Sequence, residues 1–191
     1  PTPVYYMPEV FGILDDLVQA GKIRTYGVSV EKVEEALKAI EYPNVTTVQI
    51  IFNMFRHRPA ELFFREAKRR NVGVIVRVPL ASGLLSGKMT KDMTFGEGDH
   101  RHFNREGEAF DKGETFSGVE FGKGIDAVED LRKHFDEDRG SLAQWAIRWV
   151  LMFPAVSTVI PGASSVEHAL DNAAASDLPP LSSKQMDAVE Q

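Results

Sequence analysis

Short apolar runs alternate along this chain with longer segments whose apolar residues recur at helical spacing. Four of these runs have the length and composition of strands, and helical periodicity follows each of them: residues 22–30, 45–52, 72–78 and 156–160. Such alternation is typical of βα units, in which neighbouring strands are parallel and helices cover the sheet. The pattern therefore predicts an α/β fold built on a parallel sheet.

Capping residues indicate where several of the predicted helices begin. Ser141 precedes an amphipathic segment whose tryptophans we expect in the core. Ser29 is an N-cap candidate for the helix after the first strand. Ser164 and Glu167 have the S-x-x-E spacing of a capping box, which organises the backbone N–H groups of a first helical turn. We therefore expect helices to begin close to these serines.

Composition narrows the class of protein and its partners. The chain has 191 residues, no cysteine and a net charge of −6, and we expect one domain over residues 1–191. A nucleic-acid-binding face needs an excess of basic residues, and the pI near 5.4 argues against one. No apolar run approaches the ~20 residues of a membrane span, and no secretory leader opens the chain. We expect a cytoplasmic protein without nucleic-acid or membrane partners.

Residues 89–124 form a long segment that is rich in glycine and charge and has little periodicity. Long loops in compact domains are usually functional lids or disordered segments. The stretch Asp99–His102 (DHRH) contains side chains that can bind a metal, but no second group of ligands accompanies it. We therefore expect a solvated or lid segment and no metal site.

The stretch from Val156 to Asn172 combines a short strand, a Pro-Gly turn, two serines and a helix. Unpaired N–H groups and the helix dipole favour an anion at such a helix N-terminus. His168 and Asn172 lie four residues apart, on one face of this helix. The pattern fits an anion site, and it also fits an ordinary connection between a strand and a helix.

Four motifs follow one another along the chain: Gly21–Ser29 (GKIRTYGVS), Val48–Asn53 (VQIIFN), Pro79–Lys88 (PLASGLLSGK), and Ile160–Ser165 (IPGASS) with Asn172. In this order they resemble the carboxyl-terminal half of the aldo-keto reductases. The resemblance implies the (β/α)8 TIM-barrel fold, with this chain supplying about the last four strands and their helices. It also implies reversible hydride transfer from a nicotinamide cofactor, usually NADPH, to an aldehyde or ketone.

The resemblance assigns cofactor contacts position by position. Ser29 and Gln49 correspond to residues that hold the nicotinamide carboxamide; their structural alternatives are a helix cap and a polar core residue. Leu80 and Ser82 fall in the loop that wraps the pyrophosphate, where glycines let the backbone approach closely. The adenosine end of the cofactor corresponds to the last motif and its helix, at Gly162, Ser164, His168, Asp171 and Asn172.

Three departures from the family pattern affect the cofactor site. Arg77 stands where many members have a tyrosine that stacks on the nicotinamide ring, and a guanidinium can either stack or pair with phosphate. His168 replaces the usual arginine or glutamine. No lysine or arginine lies between Ile160 and Asn172 to pair with a 2′-phosphate. The resemblance therefore implies NADPH as the cofactor but leaves NADH open.

The family's catalytic aspartate, tyrosine, lysine and histidine all belong to the first half of the barrel. Tyr26 and Lys22 lie about 13 Å apart on one strand at ~3.3 Å per residue, which is too far for direct coupling. Tyr5 and Tyr6 have no evident partner in the sequence. We therefore assign no catalytic residue to this chain.

Two functions from different classes remain open. The first is an NAD(P)H-dependent oxidoreductase acting on a small carbonyl substrate, of which this chain is the cofactor-facing fragment. The second is a non-catalytic nucleotide-binding or interaction module built on the half barrel alone. A half barrel has two open strand edges, so we expect the chain on its own to be either a homodimer through those edges or loosely packed.

Overall fold

Four parallel strands pair in the order of the chain: β1 Tyr26–Ser29, β2 Val45–Ile51, β3 Gly73–Arg77 and β4 Val156–Val159. The structure is a computed structural model that describes residues 2–190. All three strand pairs are parallel, as the alternation of strand and helix patterns predicts. The α/β prediction is therefore confirmed.

Helices connect the strands and cover one face of the sheet. In chain order they are α1 Pro8–Gln19, α2 Val33–Ala39, α3 Phe63–Arg69, α4 His100–Phe103, α5 Phe121–Arg132, α6 Leu142–Leu151, α7 Val166–Ala174 and α8 Ser183–Glu190. The tryptophans of α6, Trp145 and Trp149, are buried as predicted, and Trp149 stacks on Phe52 with ring centroids 4.9 Å apart. This packing joins α6 to the end of β2.

The two faces of the sheet have different surroundings. Val74 and Val76 of β3 point to the helices and are fully buried. Because side chains alternate along a strand, their neighbours point to the opposite face, which the described residues leave partly open. The strand register aligns one row across that face, formed by Ser29, Gln49, Ile75 and Thr158. In a closed barrel this face is the interior.

Apolar side chains on the helices beside the outer strands are also exposed. Ile13 and Leu17 lie one turn apart on α1, and Val166 and Leu170 lie one turn apart on α7. The last two are 78% and 67% exposed. In a complete barrel, helices at these positions pack against neighbouring βα units. The exposed residues therefore fit half of an eight-stranded barrel.

The first strand is shorter than the sequence predicts. The apolar pattern favours residues 22–30, whereas β1 covers Tyr26–Ser29. The physical reason is pairing, because β2 begins at Val45, the register partner of Tyr26, so residues 22–25 have no neighbouring strand to bond among residues 2–190. Strand length here depends on the neighbour, which local sequence does not encode.

The N-cap prediction for Ser29 is wrong. Ser29 ends β1, and helix α2 begins three residues later, after Lys32. The carboxylate of Glu35 accepts the backbone N–H groups of Glu31 and Lys32 at 2.9 and 3.0 Å. The Glu35 side chain, in the first turn of α2, therefore satisfies two backbone N–H groups just before the helix, and α2 begins without a serine cap.

The N-cap of α7 lies one residue after the predicted Ser164, and the predicted capping box with Glu167 does not form. Ser165 is the N-cap of α7, and its hydroxyl accepts the backbone N–H of His168 at 3.1 Å. Glu167 is therefore the second helical residue and not the third, from which a capping box requires its side chain to reach back. Because Ser164 and Ser165 are adjacent, the sequence allows either to be the N-cap, and the backbone geometry selects Ser165.

We predict that Ser165→Ala destabilises the first turn of α7 and that Ser164→Ala does so much less. Loss of an N-cap costs about 1 kcal/mol of helix stability, whereas Ser164 caps no backbone group of this turn. Amide hydrogen exchange of residues 166–169 measures the effect locally. Faster exchange in Ser164→Ala than in Ser165→Ala would contradict the cap assignment.

Candidate functional site

A cleft of about 690 Å³ opens at the carboxyl ends of β3 and β4. Carboxyl ends of neighbouring parallel strands meet at one edge of a sheet, and the loops that follow them form the walls. The sequence prediction names four of the lining residues, Arg77, Leu80, Ser82 and Gly162. The structure therefore brings together two motifs that lie far apart in the chain.

Residues after β3 adopt unusual backbone angles. The φ angles of Val78, Ala81, Ser82 and Gly83 are 53°, 48°, 57° and 99°. Positive φ is unfavourable for residues with a Cβ and most of all for β-branched ones. Such angles persist only where surrounding contacts impose them, and they concentrate at functional sites. The loop is hydrogen-bonded here to the end of β2 and to the long segment.

Asn53, just beyond β2, holds this strained loop. Its side chain is fully buried, and its amide nitrogen donates to the carbonyl of Val78 at 2.9 Å. The same side chain exchanges hydrogen bonds with the Ser117 hydroxyl, and its oxygen accepts the N–H of Phe55. No functional role is predicted for Asn53 from its sequence motif. The sequence does contain an indication of its importance, because an asparagine that directly follows a buried strand needs hydrogen-bond partners.

The Ser82 hydroxyl is engaged by the protein itself. It donates to the carbonyl of Glu114 at 3.0 Å and accepts the N–H of Phe116 at 3.1 Å. These bonds join the loop after β3 to the long segment. Leu80, Ser82 and Gly83 of this loop line the cleft.

Residues 89–124 pack against the rest of the protein, although much of the segment has no regular secondary structure. The segment contains α4, and Phe116 is buried against the core. Asn104 is fully buried, where its amide donates to the Thr115 hydroxyl and its oxygen accepts the N–H groups of Ala109 and Phe110. Hydrogen bonds of buried polar groups therefore fix this segment in place, although it contains little regular secondary structure.

Two arginines anchor the long segment to the loop after β1. Arg77 pairs with the Glu114 carboxylate and donates to the carbonyl of Val30 at 2.9 Å. In the same way, Arg56 pairs with Asp111 at 3.2 Å and donates at 2.7 Å to the carbonyl of the residue after Val30. Both guanidiniums therefore tie carboxylates of the segment to consecutive carbonyls beside Ser29.

Gly113 shows how closely the segment approaches Arg56. A Cβ at this position would lie 1.3 Å from an Nη atom of Arg56. Only glycine fits there without displacing the guanidinium.

Ser29 and Gln49 are register partners on the open face of the sheet. The Ser29 carbonyl accepts a hydrogen bond from the Tyr5 hydroxyl at 2.5 Å, so Tyr5 has a partner that the sequence did not reveal. Burial raises the pKa of Tyr5, and the carboxylates of Glu35 and Glu31 raise it further. Tyr5 therefore stays protonated at neutral pH.

Tyr26, like Tyr5, has a raised pKa, and a tyrosine that holds its proton so tightly is a poor acid near neutral pH. Its hydroxyl donates to Asp15 at 2.6 Å, and burial together with this bond raises its pKa. An acid that works near neutral pH needs a pKa lowered towards that range.

The predicted residues at the start of α7 lie together but mostly outside the cleft. The Asn172 amide donates to the carbonyl of Gly162 at 3.2 Å, and the Ser164 hydroxyl lies 3.1 Å from His168 Nδ1. Asp171 is exposed beside them. Of these residues only Gly162 lines the cleft. They therefore form a surface at its rim.

His100 is a cleft residue that the prediction of cofactor contacts omits. It opens α4, whose N-cap is Asp99. Hydrogen bonds from the Arg101 side chain lower the pKa of Asp99 to about 2. Within residues 2–190, no group of three or more histidine, aspartate or glutamate side chains is arranged to hold a metal ion.

None of the helices between residues 2 and 190 combines the length and the apolar character that crossing a membrane requires.

The whole chain, residues 1–191, matches the model of the Aldo/keto reductase family. Aldo-keto reductase YhdN of Bacillus subtilis is 29% identical over 85% of this chain and 47% of its own length. An uncharacterized oxidoreductase of Mycobacterium tuberculosis is 30% identical over 99% of this chain and 55% of its own length. The chain thus spans about half the length of the curated relatives it matches.

Solved structures agree with the family match. A glycerol dehydrogenase from Gluconobacter oxydans is similar with a TM-score of 0.72 and 27% identity, over 93% of this chain and 51% of that one. The holo form of an aldo-keto reductase from Bacillus halodurans gives 0.65 and 25%, over 92% and 52%. The predicted TIM-barrel type of fold and the family resemblance are confirmed.

We predict that the carboxyl group of Asp99 titrates near pH 2 and that Arg101→Leu moves its pKa back towards 3.8. Because the folded-state pKa is lowered, this contact stabilises the protein above the unfolded pKa and is lost as the pH falls towards 2. NMR titration of the side-chain carboxyl carbon measures both values. An Asp99 pKa that is the same with and without the Arg101 guanidinium would refute the assigned cause.

Proposed function

Because the chain belongs to the aldo/keto reductase family, we propose that it forms the cofactor-binding half of an NAD(P)H-dependent oxidoreductase that reduces aldehydes or ketones. The observation that carries this proposal is the cleft that Leu80, Ser82 and Gly162 line together. Barrel enzymes commonly bind phosphate groups at the loops after their last two strands. A small carbonyl compound is the proposed substrate, and the cytoplasm stays the proposed location.

The residues present fit a dinucleotide in three respects. Gly162 has open space where a Cβ would stand, so the backbone of the last motif is accessible. The positive φ angles of residues 81–83 turn the loop after β3 at the cleft wall. Arg77 lines the cleft beside both loops, and its side chain is 14% exposed, so part of this side chain faces the cleft.

In this proposal each part of the chain has a binding role. Ser29 and Gln49 hold the nicotinamide carboxamide, and their adjacency across β1 and β2 supports this role. Leu80 and Ser82 place the loop backbone beside the pyrophosphate. The rim of α7 receives the adenosine end through Gly162, Ser164, His168, Asp171 and Asn172, which lie close together around the helix start.

The bound cofactor supplies the hydride, and the residues of this chain position it. The folded long segment helps to exclude water from the cleft, since Glu114 and Phe110 form part of its wall. A proton donor for the carbonyl oxygen does not come from Tyr5 or Tyr26, because both have raised pKa values. We propose that the donor belongs to the other half of the barrel.

Cofactor preference stays open between NADPH and NADH. A 2′-phosphate needs a cationic partner, and the rim of α7 offers His168 and no lysine or arginine. One relative from fission yeast carries NADP(+) in its name. We propose NADPH as the cofactor, with NADH as the alternative.

The raised pKa values of Tyr5 and Tyr26 also favour a second function for the chain on its own. Without a proton donor, a half barrel binds a nucleotide or a protein partner but does not reduce carbonyl compounds. We propose this non-catalytic module as the alternative function.

For a protein that contains this chain within a complete barrel, we predict that Asn172→Ala weakens NADPH binding by about 5- to 150-fold. Loss of a contact and of the bond that holds Gly162 costs about 1–3 kcal/mol. Fluorescence titration measures the dissociation constant. Asn44→Ala, an exposed asparagine before β2, is the matched control. Equal affinities for Asn172→Ala and the unmutated protein would remove Asn172 from the site.

For the 191-residue chain alone, we predict a dimer or a loosely packed species without carbonyl reductase activity. The unpaired edges of β1 and β4 and the exposed apolar residues of α1 and α7 provide the pairing surface. Sedimentation and an assay of NADPH oxidation test both parts. A compact, active monomer would show that a residue in this chain replaces the missing proton donor.

A further inference from the structure

The peptide group between Ser29 and Val30 is held at both of its polar atoms. The Ser29 carbonyl accepts the Tyr5 hydroxyl at 2.5 Å, and the Val30 N–H donates to the Gln49 carbonyl at 2.9 Å. Because a peptide group is planar, fixing its oxygen and its nitrogen fixes its orientation. Tyr5 and Gln49 together therefore fix the backbone from which the Ser29 side chain projects.

Tyr5 is itself held at two points. Its ring is buried in the core, and its backbone carbonyl accepts the Tyr42 hydroxyl at 3.2 Å. The Tyr42 ring in turn stacks on Phe11 of α1, with ring centroids 3.8 Å apart. Because burial raises the pKa of Tyr5, its hydroxyl keeps the proton that it donates. A buried ring with a fixed backbone keeps this hydroxyl in one place, which is what orienting a neighbouring group requires.

Packing alone does not account for a tyrosine at position 5. A phenylalanine fills the same apolar space, and a buried hydroxyl is unfavourable unless it has a hydrogen-bond partner. The partner of the Tyr5 hydroxyl is the carbonyl of Ser29, a residue exposed on the open face of the sheet beside its register partner Gln49. The hydroxyl therefore acts on the end of β1 that lies at the proposed nicotinamide site.

The two carbonyls after Ser29 are held as well. The Val30 carbonyl accepts Arg77 at 2.9 Å, and the Glu31 carbonyl accepts Arg56 at 2.7 Å. With Tyr5, three side chains from three different parts of the chain thus bond three consecutive carbonyls. The turn after β1 is fixed by these side chains, and Tyr5 holds the first of its carbonyls.

We propose that Tyr5 is a positioning residue of the cofactor site, and that its hydroxyl orients Ser29 so that Ser29 and Gln49 together hold the nicotinamide carboxamide. Tyr5 does not touch the cofactor in this proposal and acts only through Ser29. The inference rests on the proposed function, since it adds to the carboxamide site a residue that lies 24 positions before Ser29 in the chain.

A double-mutant cycle tests the proposal in a complete barrel that contains this chain. Tyr5→Phe keeps the ring and removes the hydroxyl, and we expect NADPH binding to weaken about fivefold, a factor typical for the loss of one hydrogen bond. We expect Ser29→Ala to weaken it about tenfold, because a contact to the carboxamide is lost. In the Ser29→Ala background, Tyr5→Phe adds less than about twofold, because no side chain is left to orient.

The cycle distinguishes positioning from a purely structural role. If Tyr5 only stabilises the fold, its substitution weakens NADPH binding by the same factor with and without the Ser29 side chain. Equal factors in the two backgrounds would therefore overturn the proposal.

Two controls locate the effect. Tyr26→Phe removes another buried hydroxyl from β1, one that donates to Asp15 at 2.6 Å, and we expect unchanged NADPH affinity. The fragment 2′,5′-ADP carries no nicotinamide, and we expect Tyr5→Phe to bind it as tightly as the unmutated protein does. Comparable weakening of NADPH and 2′,5′-ADP in Tyr5→Phe would contradict the assignment.

Amide hydrogen exchange at Val30 gives a readout that needs no ligand. Loss of the Tyr5 hydroxyl frees one end of the Ser29–Val30 peptide, so we expect faster exchange at Val30 in Tyr5→Phe and an unchanged rate in Tyr26→Phe. The same rate at Val30 in both variants would show that Tyr5 does not hold this peptide, and the proposal would fail.

This inference and the proposed function fail in distinguishable ways. If the unmutated protein binds neither NADPH nor NADH, the proposed function fails and this inference with it. If Ser29→Ala binds NADPH as tightly as the unmutated protein, the role of Ser29 and this inference fail, whereas cofactor binding stands. If Ser29→Ala weakens binding and Tyr5→Phe does not, only this inference fails.

Discussion

The side chain of Asn53 is the interaction on which the site depends. It lies fully buried just beyond β2 and bonds the Val78 carbonyl after β3 and the Ser117 hydroxyl of the long segment. The side-chain amide of Asn53 thus joins three segments that are far apart in the sequence: the end of β2, the loop after β3 and the long segment. This contact lies beside the positive φ of Val78, an angle that a β-branched residue keeps only where its surroundings hold it.

Charge around the cleft is organised in compensated pairs rather than in an exposed basic patch. Arg77 with Glu114 and Arg56 with Asp111 repeat the same design, in which a guanidinium joins a carboxylate of the long segment to a carbonyl after β1. Planar guanidinium groups suit such multiple contacts better than lysine does. In the proposed function, a dinucleotide in this cleft is bound by backbone N–H groups and helix ends more than by free cations.

Several residues show where sequence reasoning succeeded and where it stopped. Ser141 caps α6 as predicted, because a capping box is a local contact within four residues. The cap of α7 was misplaced by one residue at Ser164, since adjacent serines offer equal local chemistry. Tyr5 was left without a partner because the Ser29 carbonyl is distant in sequence.

The sequence by itself determined the alternation of strands and helices, the parallel sheet and the family, since hydrophobic periodicity and short motifs are local properties of the chain. Only the tertiary structure decided that β1 begins at Tyr26, that residues 89–124 pack against the loops that follow the strands, and that Arg77 is paired with Glu114. Each of these outcomes depends on which distant partner satisfies a backbone group or a charge. Such pairings are set by the packed fold, and for that reason local sequence does not reveal them.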